Sequence, residues 1–358
     1  MGEKLVLFID GSYGEGGGQV LRTALALSAI LQKPFKMINL RAKRPKPGLQ
    51  PQHLACVRAI KEITSAETKG DELYSEELIF TPKKKPPRGF YTFDIGTAGA
   101  TTLLFQTLLY PLALSEGGEV LLKGGTHVPF SPPYHYLEYV YLPIISLFGF
   151  KVSLFLEKAG FYPKGGGIIR ARIEKAQNFH LPFFEKGFIP EKIYLISLIS
   201  EDLPSHILER QAKAAIELLS QRGLSCEKLC EVLYEKVKSI SPGTMLFIYA
   251  TSQNKRVGFT ALGKKGLPAE KVGKNSAEEF LNFLKSSAQL EEYMGDQILL
   301  PASLVLEFKE KGYFTFEVSK ITGHLLTQAF LIPQFLPKVK IRVLGNLGEK
   351  GEVILERA

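Results

Sequence analysis

The stretch Asp10–Arg22 carries the residues that most directly suggest chemistry. It contains five glycines together with Glu15, Gln19 and Arg22. Glycines let backbone N–H groups approach a bound anion, and a helix that starts after them favours negative charge. A carboxylate within such a loop indicates a metal ion or a proton transfer. The stretch therefore predicts a polyanion site, although a tight turn would explain the glycines alone.

This glycine-rich loop matches neither of the two common nucleotide fingerprints. It lacks the Lys-Ser/Thr pair that ends a P-loop, and its glycine spacing differs from that of dinucleotide-binding folds. The apolar run Leu5 to Ile9 precedes it, and the helical apolar pattern Val20 to Leu31 follows it. The loop is therefore expected to join a strand to a helix.

Histidine is the best remaining candidate for a nucleophile. The chain has six histidines, and its sequence has no serine-centred elbow, metalloprotease helix or paired zinc-ligand motif. A neutral imidazole can attack phosphorus and becomes a good leaving group once protonated. His53, His135 and His324 stand at or near the starts of three predicted helices. His324 follows a glycine in a turn that resembles the other site loops, whereas a capping or packed role is expected for His135.

The charge of the chain favours a polyanionic partner. Its 358 residues carry a formal net charge of +9, with basic runs at Arg41–Lys46 and Lys83–Arg88. Two such runs in a basic protein indicate nucleic acid. No zinc-finger, helix-turn-helix or aromatic RNA-recognition pattern accompanies them. An RNA would therefore be held by its phosphates and not read by its sequence.

Cysteine usage and hydropathy indicate the compartment. Three cysteines are too few for a disulfide framework and favour a reducing environment. Cys226 and Cys230 are four residues apart on a predicted helix, where two partly buried thiols are expected in preference to half a metal site. No apolar run reaches membrane-spanning length and no signal-peptide pattern is present, so a cytoplasmic protein without a membrane partner is expected.

A pattern of paired helices occurs three times along the chain. The first helices follow the glycines at Gly14, Gly96–Gly99 and Gly295, and the second helices begin near Pro51, Pro133 and Thr322. The third pair lies roughly 100 residues later than the spacing of the first two predicts, which is the size of a small domain. The expected fold is α/β, in α+β layers. It has a large three-unit domain (residues 1–184 and 271–358) and a small inserted α/β domain (185–270).

The inserted segment has its own pattern of elements. The sequence predicts a strand at Lys192–Leu198, a helix at Ser205–Leu219 and a strand at Met245–Tyr249. Ser205 is the expected N-cap of the helix.

Seven groups of motifs span nearly the whole chain. They are Gly14–Arg22, Arg41–Leu54, Ile95–Gly99 with Gln106, Gly124–Thr126 with Pro132 and Pro133, Gly160–Gly167, Tyr293–Gln297, and His324–Thr327. In their residues and in their order, they resemble the motifs of the RNA 3′-terminal phosphate cyclase family.

The resemblance implies a fold, a reaction and a partner. The large domain would be akin to enolpyruvylshikimate phosphate synthase, with three related α/β units and a smaller insert. The substrates would be ATP and an RNA that ends in a 3′-phosphate. A histidine would take AMP from ATP and pass it to the RNA 3′-phosphate, and the 2′-hydroxyl would then close a 2′,3′-cyclic phosphate and release AMP. The resemblance further implies a divalent metal, Mg²⁺ or Mn²⁺, and no obligatory protein partner is evident.

The family's roles transfer to matching positions of this sequence. His324 is implied as the nucleophile and Glu15 as a metal ligand. The implied nucleotide-binding residues are Gln106, Pro132, Tyr136, Tyr293, Asp296 and Gln297. The implied phosphate-binding residues are Arg22, Arg41, Arg44 and Gln52. From its position beside the arginine run, His53 is expected to contact RNA, and the charge of Lys83–Lys85 is expected to help hold the RNA end. Without the resemblance, core packing would be the expectation for Tyr136 and Tyr293.

Two departures and two alternatives accompany this interpretation. His127 and Gln328 stand where relatives often carry a shorter polar residue and an asparagine, and either could tune the pocket. The family also has a non-catalytic ribosome-assembly branch that lacks the nucleophile, and His324 argues against it. Enolpyruvyl transfer to a small acid is suggested by the fold analogy alone, which is weak support.

Overall fold

Residues 6–357, which the computed structural model describes, form an α/β structure with four β-sheets. The predicted α/β class is confirmed. Leu5, where the first predicted strand begins, lies outside the described residues. Alternate residues are buried along strands such as Gly118–Gly124, the pattern of a sheet with one face packed on the core.

The first sheet is built from the elements on either side of the glycine-rich loop. These are β1 (Leu7–Asp10), α1 (Gly18–Leu31), β2 (Phe35–Ile38), α2 (Pro51–Thr64), β3 (Glu67–Lys69) and β4 (Leu78–Thr81). The strands lie in the order β1-β2-β4-β3, and β1 and β2 are parallel. Because a parallel pair needs a crossover connection, α1 returns the chain across the sheet.

The second sheet has the same strand order. Its elements are β5 (Phe90–Asp94), α3 (Thr101–Ala113), β6 (Gly118–Gly124), α4 (Tyr134–Tyr136), a π-helical turn (Leu137–Tyr141), α5 (Leu142–Ser146), β7 (Val152–Lys158) and β8 (Gly167–Ile173). They are arranged β5-β6-β8-β7, with β5 and β6 parallel across α3.

The third sheet belongs to the segment predicted as an insert. Its elements are β9 (Lys192–Ser200), α6 (His206–Gln221), α7 (Cys226–Leu229), β10 (Cys230–Val237), β11 (Thr244–Ser252), β12 (Lys255–Leu262) and α8 (Ala269–Ser286). The strand order is β10-β9-β11-β12, and α6 and α8 pack on each other and on the sheet. The boundary drawn from the sequence at residue 270 falls at the start of α8, which continues to Ser286.

Two predictions within this segment were wrong. Cys226 and Cys230 do not share a helix, because α7 ends at Leu229 and Cys230 begins β10, whose eight residues pair in parallel with β9. Ser205 does not cap α6, because it has helical backbone angles and its Oγ accepts a hydrogen bond from Lys236 Nζ at 2.6 Å. The predicted strands and helix are otherwise confirmed within β9, α6 and β11.

The fourth sheet is formed by the C-terminal part of the chain. Its elements are α9 (Glu292–Gln297), α10 (Leu299–Glu307), β13 (Gly312–Val318), α11 (Gly323–Phe335), β14 (Val339–Leu344) and β15 (Gly351–Arg357). The strand order is β13-β15-β14, and a parallel bridge from Leu290 to Val318 extends the edge of β13. The expectation that the first helix here follows a glycine turn was wrong. Gly295 lies inside α9, where a Cβ would come within 2.7 Å of the Val318 side chain.

Helix α1 lies at the centre of the large body. It packs against α2, α3 and α11, and Leu21, Leu25 and Leu27 are fully buried there. Each such leucine contributes roughly 1.5–3 kcal/mol through burial of apolar surface. This packing brings the starts of α1 and α11 together, although they belong to opposite ends of the chain.

The four sheets share one apolar core. One face of the β9–β12 sheet, with Ile196, Leu198 and Phe247, joins the cluster formed by the other three sheets. Its other face forms a separate cluster under α6 and α8. Among residues 6–357, no helix is both long and apolar enough to cross a membrane.

Candidate active site

His324 lies in the first turn of α11 with its side chain about half exposed. Helix α11 begins here because the Thr322 side chain accepts a hydrogen bond from the backbone N–H of Leu325 at 3.1 Å. The imidazole faces the glycine-rich loop that precedes α1. Helix α1 itself starts at Gly18 without a capping side chain, so its first N–H groups remain available to an anion.

Gln19 connects His324 to Asp296. Its side-chain carbonyl lies 3.0 Å from His324 Nδ1, and its amide donates to a carboxylate oxygen of Asp296. With its NH₂ donating to Asp296, Gln19 presents its oxygen to the imidazole, where it accepts a hydrogen bond from Nδ1–H. In the neutral ring, Nε2 is then the nitrogen without a proton.

Glu15 lies on the Nε2 side of the imidazole. One carboxylate oxygen is 3.2 Å from His324 Nε2 and 3.5 Å from Arg44 Nη2. The loop reaches this position because two glycines permit close contact. A Cβ at Gly323 would lie 2.4 Å from Glu15 Oε1, and one at Gly14, whose φ is +59°, would lie 2.2 Å from Thr327 Oγ1.

The electrostatic surroundings keep His324 neutral. Partial burial lowers the pKa of His324, and the cations Arg22 and Arg44 lower it further, whereas Glu15 raises it. Burial raises the pKa of the Asp296 carboxyl to about 7, against the opposing effects of the Gln19 hydrogen bond and of Arg22. A neutral imidazole therefore lies beside the Glu15 carboxylate, the buried carboxyl group of Asp296 and two guanidinium groups.

A cavity of about 780 Å³ opens beside His324. This volume falls within the usual range for small-molecule sites. All six residues expected near a nucleotide line it together with His324 and Arg22: Gln106, Pro132, Tyr136, Tyr293, Asp296 and Gln297. They come from three different parts of the chain.

The polar groups of this cavity are held in place by one another. Gln106 donates to Gln297 Oε1 at 2.7 Å, and Gln297 donates to the backbone carbonyl of Tyr293 at 2.6 Å. Tyr136 is buried, and its hydroxyl donates to Glu291, the residue that caps α9. Tyr293, by contrast, keeps 45% of its surface exposed and presents a ring to the cavity.

The segment predicted as an insert supplies one wall of the cavity, which was not predicted from the sequence. The lining residues from β12, α8 and the segment between them are Gly258, Thr260, Leu262, Lys264, Leu267 and Asn275. Arg256 donates to the Tyr139 carbonyl at 3.0 Å, and His135 pairs with Glu235 at 2.9 Å, so both contacts connect this segment to the second unit. The basic Lys-Lys-Gly turn at 264–266 is a local sequence feature of this wall.

Three of the expected phosphate-binding residues make contacts within the protein. The Arg41 guanidinium donates to the carbonyls of Lys46 and Gly48, and Gln52 accepts from the backbone N–H of Ala100 at 2.9 Å. His53 is 7% exposed and accepts from the Gln50 backbone N–H. Burial, together with Arg22 and Arg41, lowers the pKa of His53 to about 3. These three residues lie outside the cavity lining, whereas Arg22 belongs to it.

The second-unit histidines are buried in a hydrogen-bonded chain. Thr126 contacts His127 Nδ1, His127 Nε2 contacts His135 Nδ1 at 2.9 Å, and His135 Nε2 contacts Glu235. His127 does not line the cavity. Gln328 does line it, and its amide donates to Thr23 Oγ1 at 2.7 Å. Within the described part of the chain, the buried Oε1 of Gln328 has no hydrogen-bond partner.

The basic run at 83–85 lies away from the imidazole. The Lys83 ammonium pairs with Glu67 at 2.8 Å, and the Lys83 backbone N–H donates to Thr64, the last residue of α2. His53 lies in the first turn of the same helix, about 16 Å away along its axis. Lys83 therefore marks the opposite end of α2 from Arg41 and His53.

Metal binding by protein side chains alone is not supported by the described residues, which contain no group of three or more His, Cys, Asp and Glu positioned around a cation. Glu15 offers a single half-exposed carboxylate beside the cavity. Mg²⁺ is commonly held by one or two carboxylates together with substrate phosphates. The chain therefore fits a metal ion that arrives with a phosphate ligand.

Comparisons with known proteins agree with one another. The family model for RNA 3′-terminal phosphate cyclase matches residues 13–343. The RNA 3′-terminal phosphate cyclase of Gloeothece citriformis is 42% identical over 345 residues, covering 92% of this chain and 93% of its own length. The protein of the same name from Pyrococcus furiosus is 42% identical over 359 residues, covering 98% and 99%. The chain belongs to the RNA 3′-terminal phosphate cyclase family.

Proposed function

We propose that this enzyme uses ATP to convert an RNA 3′-phosphate end into a 2′,3′-cyclic phosphate, through AMP bound covalently to His324. The observation that carries the proposal is the neutral imidazole at the edge of a nucleotide-sized cavity. Its Nδ1–H is bonded to Gln19, and its unprotonated Nε2 lies 3.2 Å from the Glu15 carboxylate. Family membership supports the same reaction.

In the first step, the Nε2 lone pair of His324 forms a bond to the α-phosphorus of ATP. The bond from that phosphorus to the bridging oxygen breaks, and pyrophosphate leaves with its electron pair. The imidazole becomes positively charged because Nδ1 keeps its proton. Gln19 Oε1 and the Glu15 carboxylate lie at 3.0 and 3.2 Å from the two ring nitrogens, where they stabilise that charge.

In the second step, an oxygen of the RNA 3′-phosphate attacks the same phosphorus and the N–P bond breaks. The histidine returns to its neutral form, and AMP is joined to the RNA. In the third step, the 2′-hydroxyl oxygen attacks the RNA phosphorus and loses its proton, and AMP departs with the electrons of the broken P–O bond. A group already activated in this way closes the ring because its nucleophile is on the same ribose.

The side chains around His324 divide the remaining work. Arg22 and Arg44 place positive charge where the phosphates must lie, and Gln19 fixes the tautomer of the nucleophile. Pro132, Tyr136 and Tyr293 offer surfaces for the adenine, and Gln106, Asp296 and Gln297 offer polar contacts. The remaining three residues, Arg41, Gln52 and His53, hold the loops next to Arg22 in place through their contacts within the protein. They would affect RNA binding indirectly, by positioning these loops.

Glu15 would hold a divalent metal, Mg²⁺ or Mn²⁺, that enters with ATP. When bound, the metal would neutralise charge on the phosphates. The Glu15 carboxylate itself provides a polar group next to His324 Nε2. It also pairs with Arg44 and thereby holds the positive charge of that guanidinium near the imidazole.

The wider architecture fits this function. We infer that the large domain is akin to enolpyruvylshikimate phosphate synthase, supported by the equal strand orders of the first two sheets. The insert would complete the nucleotide cavity through β12 and α8. The three free cysteines support a reducing compartment such as the cytoplasm.

Labelling with ATP that carries a radioactive α-phosphate tests the proposal. The wild-type protein with Mg²⁺ or Mn²⁺ should acquire a covalent label that acid releases, because protonation makes the imidazole a leaving group. His324→Asn should remain unlabelled and should not cyclise RNA. His53→Asn is the matched control, since it removes a histidine from an equivalent helix start and should still be labelled.

Absence of label on the wild-type protein, in the presence of either metal, would contradict the proposed adenylylation of the enzyme. It would favour the alternative of a non-catalytic RNA-binding ribosome-assembly protein of the same fold. An acid-labile AMP adduct on His324→Asn would instead show that another residue is the nucleophile.

A further inference from the structure

Two exposed aromatic rings stack beside the glycine-rich loop. The ring centroids of Tyr13 and Phe330 are 3.7 Å apart, with an angle of 14° between the planes. Tyr13 keeps 41% and Phe330 keeps 47% of its surface exposed. Neither buries in the core of the protein, although both rings are rigid and apolar. A stacked, solvent-facing pair of this kind offers flat surface to a ligand.

The aromatic pair lies on the same face of α11 as the contacts between the glycine-rich loop and the start of that helix. Along one face of α11, Tyr13 contacts Phe330, Gly14 lies against Thr327, and Glu15 lies against Gly323. The loop therefore runs antiparallel to the helix, from the aromatic pair to the nucleophile. Phe330 is six residues from His324, which is about 9 Å along the helix axis. One nucleotide can span that distance.

Lys43 adds a positive charge beside the loop. Its side chain lies on Gly16, and its ammonium is 3.3 Å from the Gly14 carbonyl, between the aromatic pair and Glu15. The Asp10 carboxylate interacts with Lys43 electrostatically, but among residues 6–357 no carboxylate lies within ion-pair distance of the ammonium. An exposed aromatic ring next to a lysine is the combination that binds single-stranded nucleic acid without reading its sequence.

We propose that Tyr13 and Phe330 form a platform on which a base at the 3′ end of the RNA stacks, while Lys43 contacts an adjoining phosphate. The platform holds the RNA along the glycine-rich loop and directs its terminal phosphate to His324. The inference rests on the proposed function, since it specifies how the substrate of that reaction is held. It assigns the RNA to the outer face of the loop, because neither ring lines the cavity expected to hold the nucleotide.

The transfer of AMP from enzyme to RNA tests the platform. Each variant is first labelled with α-labelled ATP and freed of nucleotide, so transfer is measured per adenylylated molecule. Phe330→Ala should raise the RNA concentration for half-maximal transfer by about 5- to 150-fold, the range found for removal of one base–aromatic stack. Phe330→Tyr, which keeps the ring, should restore the wild-type value. Lys43→Ala should weaken RNA binding most at low salt.

An RNA whose 3′-terminal nucleotides lack bases supplies the complementary change. Loss of the terminal bases should weaken RNA binding by the wild-type enzyme by the same factor as Phe330→Ala weakens binding of normal RNA. Phe330→Ala should bind the RNA without terminal bases almost as well as the wild-type enzyme does, because the base that would stack on the ring is already absent. Phe308→Ala is the matched control: Phe308 is also exposed and is stacked on Phe179 at 5.0 Å and 11°, but lies at the end of α10.

Equal half-maximal concentrations for wild type and Phe330→Ala would overturn the platform. A change in oligomeric state in Phe330→Ala with unaltered transfer would also overturn it, and would show that the rings contact another protein molecule. If the wild-type enzyme acquires no label, the proposed function itself fails. Labelling without any effect of Phe330 removes only the platform.

Discussion

The side-chain carbonyl of Gln19 lies 3.0 Å from Nδ1 of His324, although the two residues are 305 positions apart in the chain. The amide of the same glutamine donates to Asp296, so its orientation is fixed from the other side. The orientation of the His324 imidazole is therefore set by a residue of the glycine-rich loop.

Gln19→Leu tests this relationship. Leucine has a similar size but cannot accept a hydrogen bond from Nδ1–H, so the imidazole would lose its orientation and its fixed tautomer. We expect the rate of adenylylation at saturating ATP to fall by about 100-fold, the scale of effect for a misplaced reacting group. The control variant is Gln334→Leu, which changes a glutamine on α11, the helix of His324, outside the cavity. It should be adenylylated at the normal rate. An unchanged rate in Gln19→Leu would show that this hydrogen bond does not position the nucleophile.

Gly323→Ala should separate stability from activity. The atoms nearest to the added methyl group belong to the side chain of Glu15, which can move aside, and alanine favours a helix more than glycine does. We expect unchanged or higher thermal stability together with at least about a 10-fold loss of adenylylation, because Glu15 leaves the imidazole. Calorimetry and labelling on the same sample measure both. Loss of folding instead of activity would contradict this account of the contact.

RNA affinity should fall with salt and depend little on base sequence. Phosphate contacts dominate such binding, and each contact on a single strand contributes about 0.7 to the slope of log K against log salt. Arg44→Ala, next to His324, should reduce the slope by about that amount. Lys83→Ala should reduce it less, because Lys83 pairs with Glu67 at the far end of α2. A flat response between about 50 and 200 mM salt would remove the electrostatic account.

Glu291 should make stability depend on pH. Burial raises the pKa of its carboxyl from an ordinary value near 4.5 to about 8. Between those values the folded protein binds a proton that the unfolded chain releases, so the free energy of unfolding falls as pH rises, by about 3–5 kcal/mol in total. Glu291→Gln stays neutral and can still bond to Tyr136 and the start of α9. Urea unfolding at pH 5.5 and 8 should show a flatter profile for this variant, and parallel profiles would refute the assignment.

Local residue chemistry determined much of this protein. The glycine loop, the helix start at Pro51 and the capped start of α11 at Gly323 all depend on residues close together in the chain. So do the strands of the insert, whose apolar content is visible segment by segment. The helix spacing predicts an insert over residues 185–270, and helix α8 extends beyond the boundary drawn at residue 270. The prediction that Cys230 shares a helix with Cys226 was wrong because Cys230 pairs with β9 as the first residue of strand β10.

Only the tertiary structure decided which of these groups meet. The packing of α1 on α11 brings Gln19 and Glu15 to His324, and no periodicity in the sequence encodes a contact across 305 residues. Packing of one face of the β9–β12 sheet in the common core brings residues of β12 and α8 to the cavity as one of its walls. His53 and His324 occupy similar helix starts, yet burial among arginines leaves His53 neutral and enclosed, while His324 stays half exposed at the cavity. Local sequence specifies which groups a chain carries, but long-range apolar packing, which has no local signature, specifies which of them share a site.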